Sequence, residues 1–149
     1  MADEPLVKAL SALARKERSV AELSEWMRRR GVGESEVADV VDHLVSAGAL
    51  DDTRFAERFA EDKRTISGWG AERIAAALRE RGVAEADVEL ALSADDGEAE
   101  VERAAELIGR RGIDLGDDRG RNRAFGLLVR RGYGSETAYE AIRRAEAVG

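Results

Sequence analysis

Of the five Arg-Gly dipeptides along this chain three line up, and their spacing limits what it can fold into. Arg30-Gly31-Val32, Arg81-Gly82-Val83 and Arg131-Gly132-Tyr133 place their glycines 51 and then 50 residues apart. A period of that size marks an array of like units. Eight residues before each glycine stand Leu23, Ile74 and Ala124, and four before stand Met27, Leu78 and Leu128, which together make one helical stripe. Val37, Val40 and Val41, then Val88, Ala91 and Leu92, then Ala138, Ala141 and Ile142 follow at six, nine and ten residues, and mark a second amphipathic helix. Glycine supplies the left-handed residue that ends the first helix, and the arginine before it complements the carbonyl end of the dipole.

A further helical pattern lies upstream of each pair. Val7, Leu10, Leu13 and Ala14 form the first, Phe55, Phe59 and Ile66 the second, and Val101, Ala104, Ala105 and Ile108 the third. The expectation is an all-α fold of nine helices in three tandem three-helix repeats, over residues 1–50, 51–98 and 99–149. Units of this kind bury their faces against neighbours more than into one centre, giving an elongated, curved array. Ser19 with Glu22 reads as a capping box. The pairs Asp51-Asp52 and Asp117-Asp118 precede helical stretches as caps, Asp95-Asp96 with Gly97 suits a junction between units, and Pro5 fits a first turn. Alternating β-branched and aromatic runs are absent, so strands find little support.

Composition removes most catalytic classes. There is no cysteine, which excludes a disulfide framework, thiolate chemistry and zinc fingers, and His43 is the only histidine, which excludes paired-histidine metal sites. His43 reads as a helix-surface residue. Lys8, Lys16 and Lys63 each follow a residue other than glycine, so no phosphate-cradling G-x-x-x-x-G-K loop exists. No cofactor and no metal are expected. The longest stretch without a formal charge, His43 to Leu50, is too short to span a membrane, and Met1 to Pro5 offers no basic and then apolar leader. A cytoplasmic protein is expected.

The chain carries 24 basic and 31 acidic residues, a net charge of −7 that opposes undirected binding to nucleic acid. Residues 1–50 hold 7 basic and 9 acidic groups, 51–98 hold 7 and 13, and 99–149 hold 10 and 9, so acidity is concentrated in the middle. Basic clusters recur at Arg28 to Arg30, Lys63-Arg64, Arg110-Arg111, Arg119 to Arg123, Arg130-Arg131 and Arg143-Arg144. They read as solvated helix ends or as local contacts to carboxylate or phosphate.

The middle unit carries the most specific motif. Leu50-Asp51-Asp52-Thr53-Arg54-Phe55-Ala56-Glu57-Arg58-Phe59 leads to Lys63-Arg64, then Gly68-Trp69-Gly70-Ala71-Glu72-Arg73-Ile74 and Leu78-Arg79-Glu80-Arg81-Gly82-Val83. This resembles the RecX family of recombination regulators, which share an acidic pair before Arg-Phe-Ala, a Gly-x-Gly turn, an Arg-Ile helix start and a closing Arg-Gly. The likeness is dense over residues 50 to 83 and looser elsewhere. Gly126 and the stretch Gly116 to Gly120 make the third unit the weakest match.

The resemblance implies a regulator, not an enzyme, that binds the RecA recombinase filament on single-stranded DNA. It implies restraint of filament growth, ATP hydrolysis, strand exchange and coprotease activity; a monomer is expected, and the acidic balance leaves at most weak direct DNA contact. The contact residues expected are Arg54, Lys63, Arg64, Trp69, Arg73 and Arg79. Phe55 and Phe59 read as core, while Trp69, between two glycines, either staples two helices or stands out as an interface anchor. Two alternatives are a direct DNA-binding module using the basic C-terminal repeat, and a generic helical scaffold.

Overall fold

The computed structural model describes residues 3–148; Met1 and Ala2, part of the stretch read for a leader, and Gly149 lie outside it. Among the described residues the chain forms nine helices and no strand: α1 (Asp3–Arg15), α2 (Val20–Arg29), α3 (Glu34–Ser46), α4 (Asp52–Thr65), α5 (Ala71–Glu80), α6 (Glu85–Ser93), α7 (Gly97–Arg110), α8 (Asp118–Arg130) and α9 (Ser135–Val148).

The repeated stripe is the inner face of the middle helix of each trio. Leu23, Met27, Ile74, Leu78, Ala124 and Leu128 are all 0% exposed. Each of these helices closes in the same way. Gly31, Gly82 and Gly132 take φ of +80°, +81° and +95°. The next amide reaches back five residues, from Val32 to Met27 O, Val83 to Leu78 O and Tyr133 to Leu128 O, while the glycine amide reaches Arg28 O, Arg79 O and Val129 O. This double closure explains why an apolar residue follows each glycine: it packs on the residue whose carbonyl it satisfies.

The starts are equally local. Ser19 Oγ accepts from the Glu22 amide at 3.1 Å while Glu22 Oε1 accepts from the Ser19 amide at 3.0 Å, the reciprocal pair expected of a capping box. Asp51, Asp96 and Asp117 each open a helix, accepting from the amides of Arg54, Glu98 and Gly120.

Each trio closes its own core, one centred on Leu23, Met27 and Leu44, one on Phe55, Ile74 and Leu78, and one on Ile108, Leu128 and Tyr133. Helix pairs that pack along their lengths lie within a trio. This corrects the expectation that units bury their faces chiefly against neighbours: the faces turn inward and the units meet through helix ends. The accessible surface is 8760 Å², above the roughly 7,500 Å² of a compact monomer of this mass, as an extended array requires.

Two other expectations need correction. The inner face of α1 is built from Pro5, Ala9 and Ala12, flanked by Leu6 and Leu13, whereas Val7 is 64% and Leu10 45% exposed. Two apolar stripes run side by side on that helix, and small residues win the inner position because α2 and α3 both press on it. Ile66 is 81% exposed, because α4 ends at Thr65 and the chain turns before a further inward position is reached.

The joints between trios follow one plan, in which the Arg-Gly corner of a later trio abuts the amino end of the middle helix of the earlier one. At the first joint Arg81 O accepts from Ser19 Oγ at 2.6 Å, and the Arg81 guanidinium holds Glu22 at 2.9 and 3.0 Å. A Cβ on Gly82 would lie 2.5 Å from Ala21 Cβ. At the second joint Arg131 O accepts from the Gly70 amide at 2.8 Å and Gly132 O from the Glu72 amide at 2.9 Å. The Tyr133 hydroxyl donates to Gly68 O and Arg131 to Ser67 O, both at 3.0 Å. In both joints a carbonyl end meets an amide end, so opposite ends of two macrodipoles face each other.

A candidate partner-binding surface on the middle unit

The Gly68-Trp69-Gly70 turn joins α4 to α5 at the second joint. Gly68 takes φ +69°, and a Cβ on Gly70 would stand 2.5 Å from Gly132 O, so both glycines are demanded by backbone geometry. Trp69 between them is half-buried. Its ring meets Phe59 edge to face at 6.3 Å between centroids. Lys63 Nζ lies 4.7 Å and Arg73 Cζ 4.1 Å from the Trp69 centroid, and Lys63 is also 5.4 Å from Phe59. Trp69 thus staples α4 to α5, and its ring is flanked by two cations. Phe55 stacks on Phe59 at 6.3 Å and is buried, while Phe59 is only half-buried.

The other expected contact residues lie elsewhere. Arg64 is 8% exposed, donates to Ala91 O at 2.7 Å and sits 3.6 Å from Asp95, so its charge ties α4 to the end of α6. Asp95 also receives Arg103 at 2.5 Å. Arg79 is exposed and bonded to Glu85 through two nitrogens at 2.8 and 2.6 Å; that fork holds the Glu85 carboxyl below its ordinary range and raises the guanidinium. Arg54, at the start of α4, donates to Gly48 O at 3.0 Å. Of the six, the structure brings Lys63, Trp69 and Arg73 together.

Sequence reasoning passed over Arg81 as a site residue and treated it as a helix-end charge. Its guanidinium lies 4.6 Å from the Phe55 centroid while holding Glu22, and it lines an 820 Å³ groove with Glu17, Phe55, Phe59, Lys63 and Arg64. The signal available was its place immediately before a repeated glycine. Burial pushes the Glu22 carboxyl up, but the Arg81 hydrogen bond, the Ser19 amide and Arg81's charge outweigh it and hold the group below its ordinary value. A depressed carboxyl contributes stability that is present above its unfolded value and lost as pH falls through its folded one. Asp52, raised chiefly by burial, titrates in the opposite sense. Glu22→Gln is therefore expected to flatten the loss of stability between neutrality and about pH 3, measured as urea midpoints of the two proteins across that range.

No helix among the described residues is long and apolar enough to cross a membrane. Residues 6–44 match the model for the first three-helix domain of RecX and residues 51–92 that for the second. A regulatory protein RecX of Mycobacteroides abscessus is 37% identical over 142 residues, spanning 93% of this chain and 70% of the relative. One from Thermobifida fusca is 33% identical over 140 residues, spanning 90% and 74%. The crystal structure of RecX from Lactobacillus salivarius superposes with a TM-score of 0.89 over 98% of this chain and 97% of that one, at 19% identity, and shows the same fold.

Proposed function

The chain belongs to the RecX family, whose named relatives are regulatory proteins and not enzymes, and from that premise we propose that it binds the RecA recombinase filament on single-stranded DNA. Bound there, it restrains filament growth, ATP hydrolysis, strand exchange and coprotease activity, acting in the cytoplasm as a monomer. Residues 1–50, 51–98 and 99–149 serve as its three successive units. The observation that carries this reading is the pair of adjacent family domains over residues 6–44 and 51–92. The extended array gives such a protein reach along a polymer, and the Lys63–Trp69–Arg73 cluster gives it a cationic and aromatic contact. Arg54 and Arg79 are exposed and would make separate contacts, and Arg64 is left out of the contact set because burial spends its charge internally.

RecA's DNA-dependent ATPase, measured with this protein at substoichiometric ratios, tests the reading. A fall in hydrolysis is expected, and unchanged hydrolysis at every ratio would overturn it. Arg73→Glu reverses an exposed charge and is expected to weaken retention by filaments about tenfold with helicity unchanged, read by co-sedimentation and circular dichroism.

A second reading, direct DNA binding by the C-terminal unit, rests on one groove. Arg111, Arg123 and Arg130 line it with Asn122 and no carboxylate, and none of the three arginines is ion-paired among the described residues. Retention on bare DNA that falls steeply with salt would favour that reading, since phosphate contacts release counterions.

A further inference from the structure

Arg-Gly corners close the middle helix of each trio, and a further one, Arg111-Gly112, closes α7. Two of the three middle-helix corners grip the first turn of a helix from another unit, and the third has the same build. The Gly82 corner meets the first turn of α2, where Glu22 takes the Arg81 guanidinium. The Gly132 corner meets the first turn of α5, and a Cβ on Gly132 would lie 2.2 Å from Arg73 Cβ. At the Gly31 corner, no part of the described chain lies within 4 Å of where a Cβ would stand. Its φ of +80° and its closure by the Gly31 and Val32 amides match the other two.

Arg30 occupies the place that Arg81 holds at the first joint. Arg28 is paired with Glu34 and Arg29 with Glu25, whereas Arg30 meets no carboxylate among the described residues. Its guanidinium lies instead 3.8 Å from the Trp26 ring centroid, stacked on the flank of the corner. A planar cation held against an aromatic face is pre-organised for a carboxylate and loses little freedom on meeting one.

We propose that the Gly31 corner is an interaction surface for the amino-terminal turn of an α-helix in another protein, one that opens with a capping box whose third-position carboxylate pairs with Arg30. The occupant follows from what the chain already does at Arg81 and Glu22, and from the match between an exposed carbonyl end with a cation and an amide end with a carboxylate. A second copy is disfavoured as occupant, because the equivalent helix starts are in use. Those of α2 and α5 sit in the joints, and that of α8 is covered by its own loop, where a Cβ on Gly120 would overlap Asp114 O. The inference does not depend on RecA being the partner.

The test is a titration of the full-length, nitrogen-15-labelled protein with a stapled helical peptide opening Ser-Val-Ala-Glu, the first turn of α2. The Gly31 and Val32 amide resonances are expected to shift. Glutamine in place of the peptide's glutamate, or Arg30→Gln in the protein, is expected to weaken the response about tenfold, the loss of one charge-assisted hydrogen bond. Arg30 is exposed, so that variant keeps its thermal midpoint. Any of three results would overturn the proposal: no shift at millimolar peptide, equal responses to the glutamate and glutamine peptides, or the same shifts on concentrating the protein alone, which would make a second copy the occupant.

Discussion

Gly132→Ala is expected to lower the unfolding free energy by about 3 kcal/mol, and the thermal midpoint by about 9 °C. The residue combines two demands. Its φ of +95° is a conformation that alanine adopts only with strain, and the added Cβ would stand 2.6 Å from the Arg73 backbone nitrogen. Backbone cannot swing aside as a flexible side chain does, so the second joint must open or α5 must shift. Gly31→Ala supplies the comparison, with nearly the same φ problem and no neighbour to meet; its loss should be about 1 kcal/mol. Gly82→Ala, which meets only Ala21, falls between. Equal losses at all three positions would show that the glycines matter for helix termination alone and that the joints contribute nothing.

Trp69→Ala is expected to weaken retention on RecA filaments about 30-fold, the size of an interface hot spot. Removing the ring takes away the surface on which Lys63 and Arg73 rest and the edge contact with Phe59. Part of any loss could come from loosening α4 against α5. Lys63→Gln combined with Arg73→Gln keeps the ring and removes the charges, so it separates the two causes. If Trp69→Ala lowers the thermal midpoint while filament retention is unchanged, the residue is a staple only and leaves the contact set.

The repeat was legible because its determinants are local. A left-handed residue at fixed distance from two apolar stripes defines a helix, a stop and a helix whatever surrounds them, and all six residues of the first stripe are fully buried. The caps at Ser19, Asp51 and Asp117 depend on contacts across three residues and were equally readable. Alignment of α1 was not, because Val7 and Leu10 and the set Leu6, Ala9 and Leu13 both satisfy helical spacing; only the neighbouring helices decide which is covered. Arg64 shows the limit for the candidate site. A cluster reading treats Lys63 and Arg64 alike, but adjacent residues on a helix point about 100° apart, and here one faces Trp69 and the other Asp95. The joints were invisible for a related reason, since they pair main-chain groups and side chains that stand 59 to 65 residues apart in the chain.

Because each core draws on one consecutive stretch of chain, most contacts here are close in sequence. Polypeptides of that kind condense quickly and without long searches. Emerging from the ribosome, the first trio can therefore mature before the second is synthesised, while the narrow couplings between trios, those at Arg81 and Gly132 among them, wait for later residues to arrive.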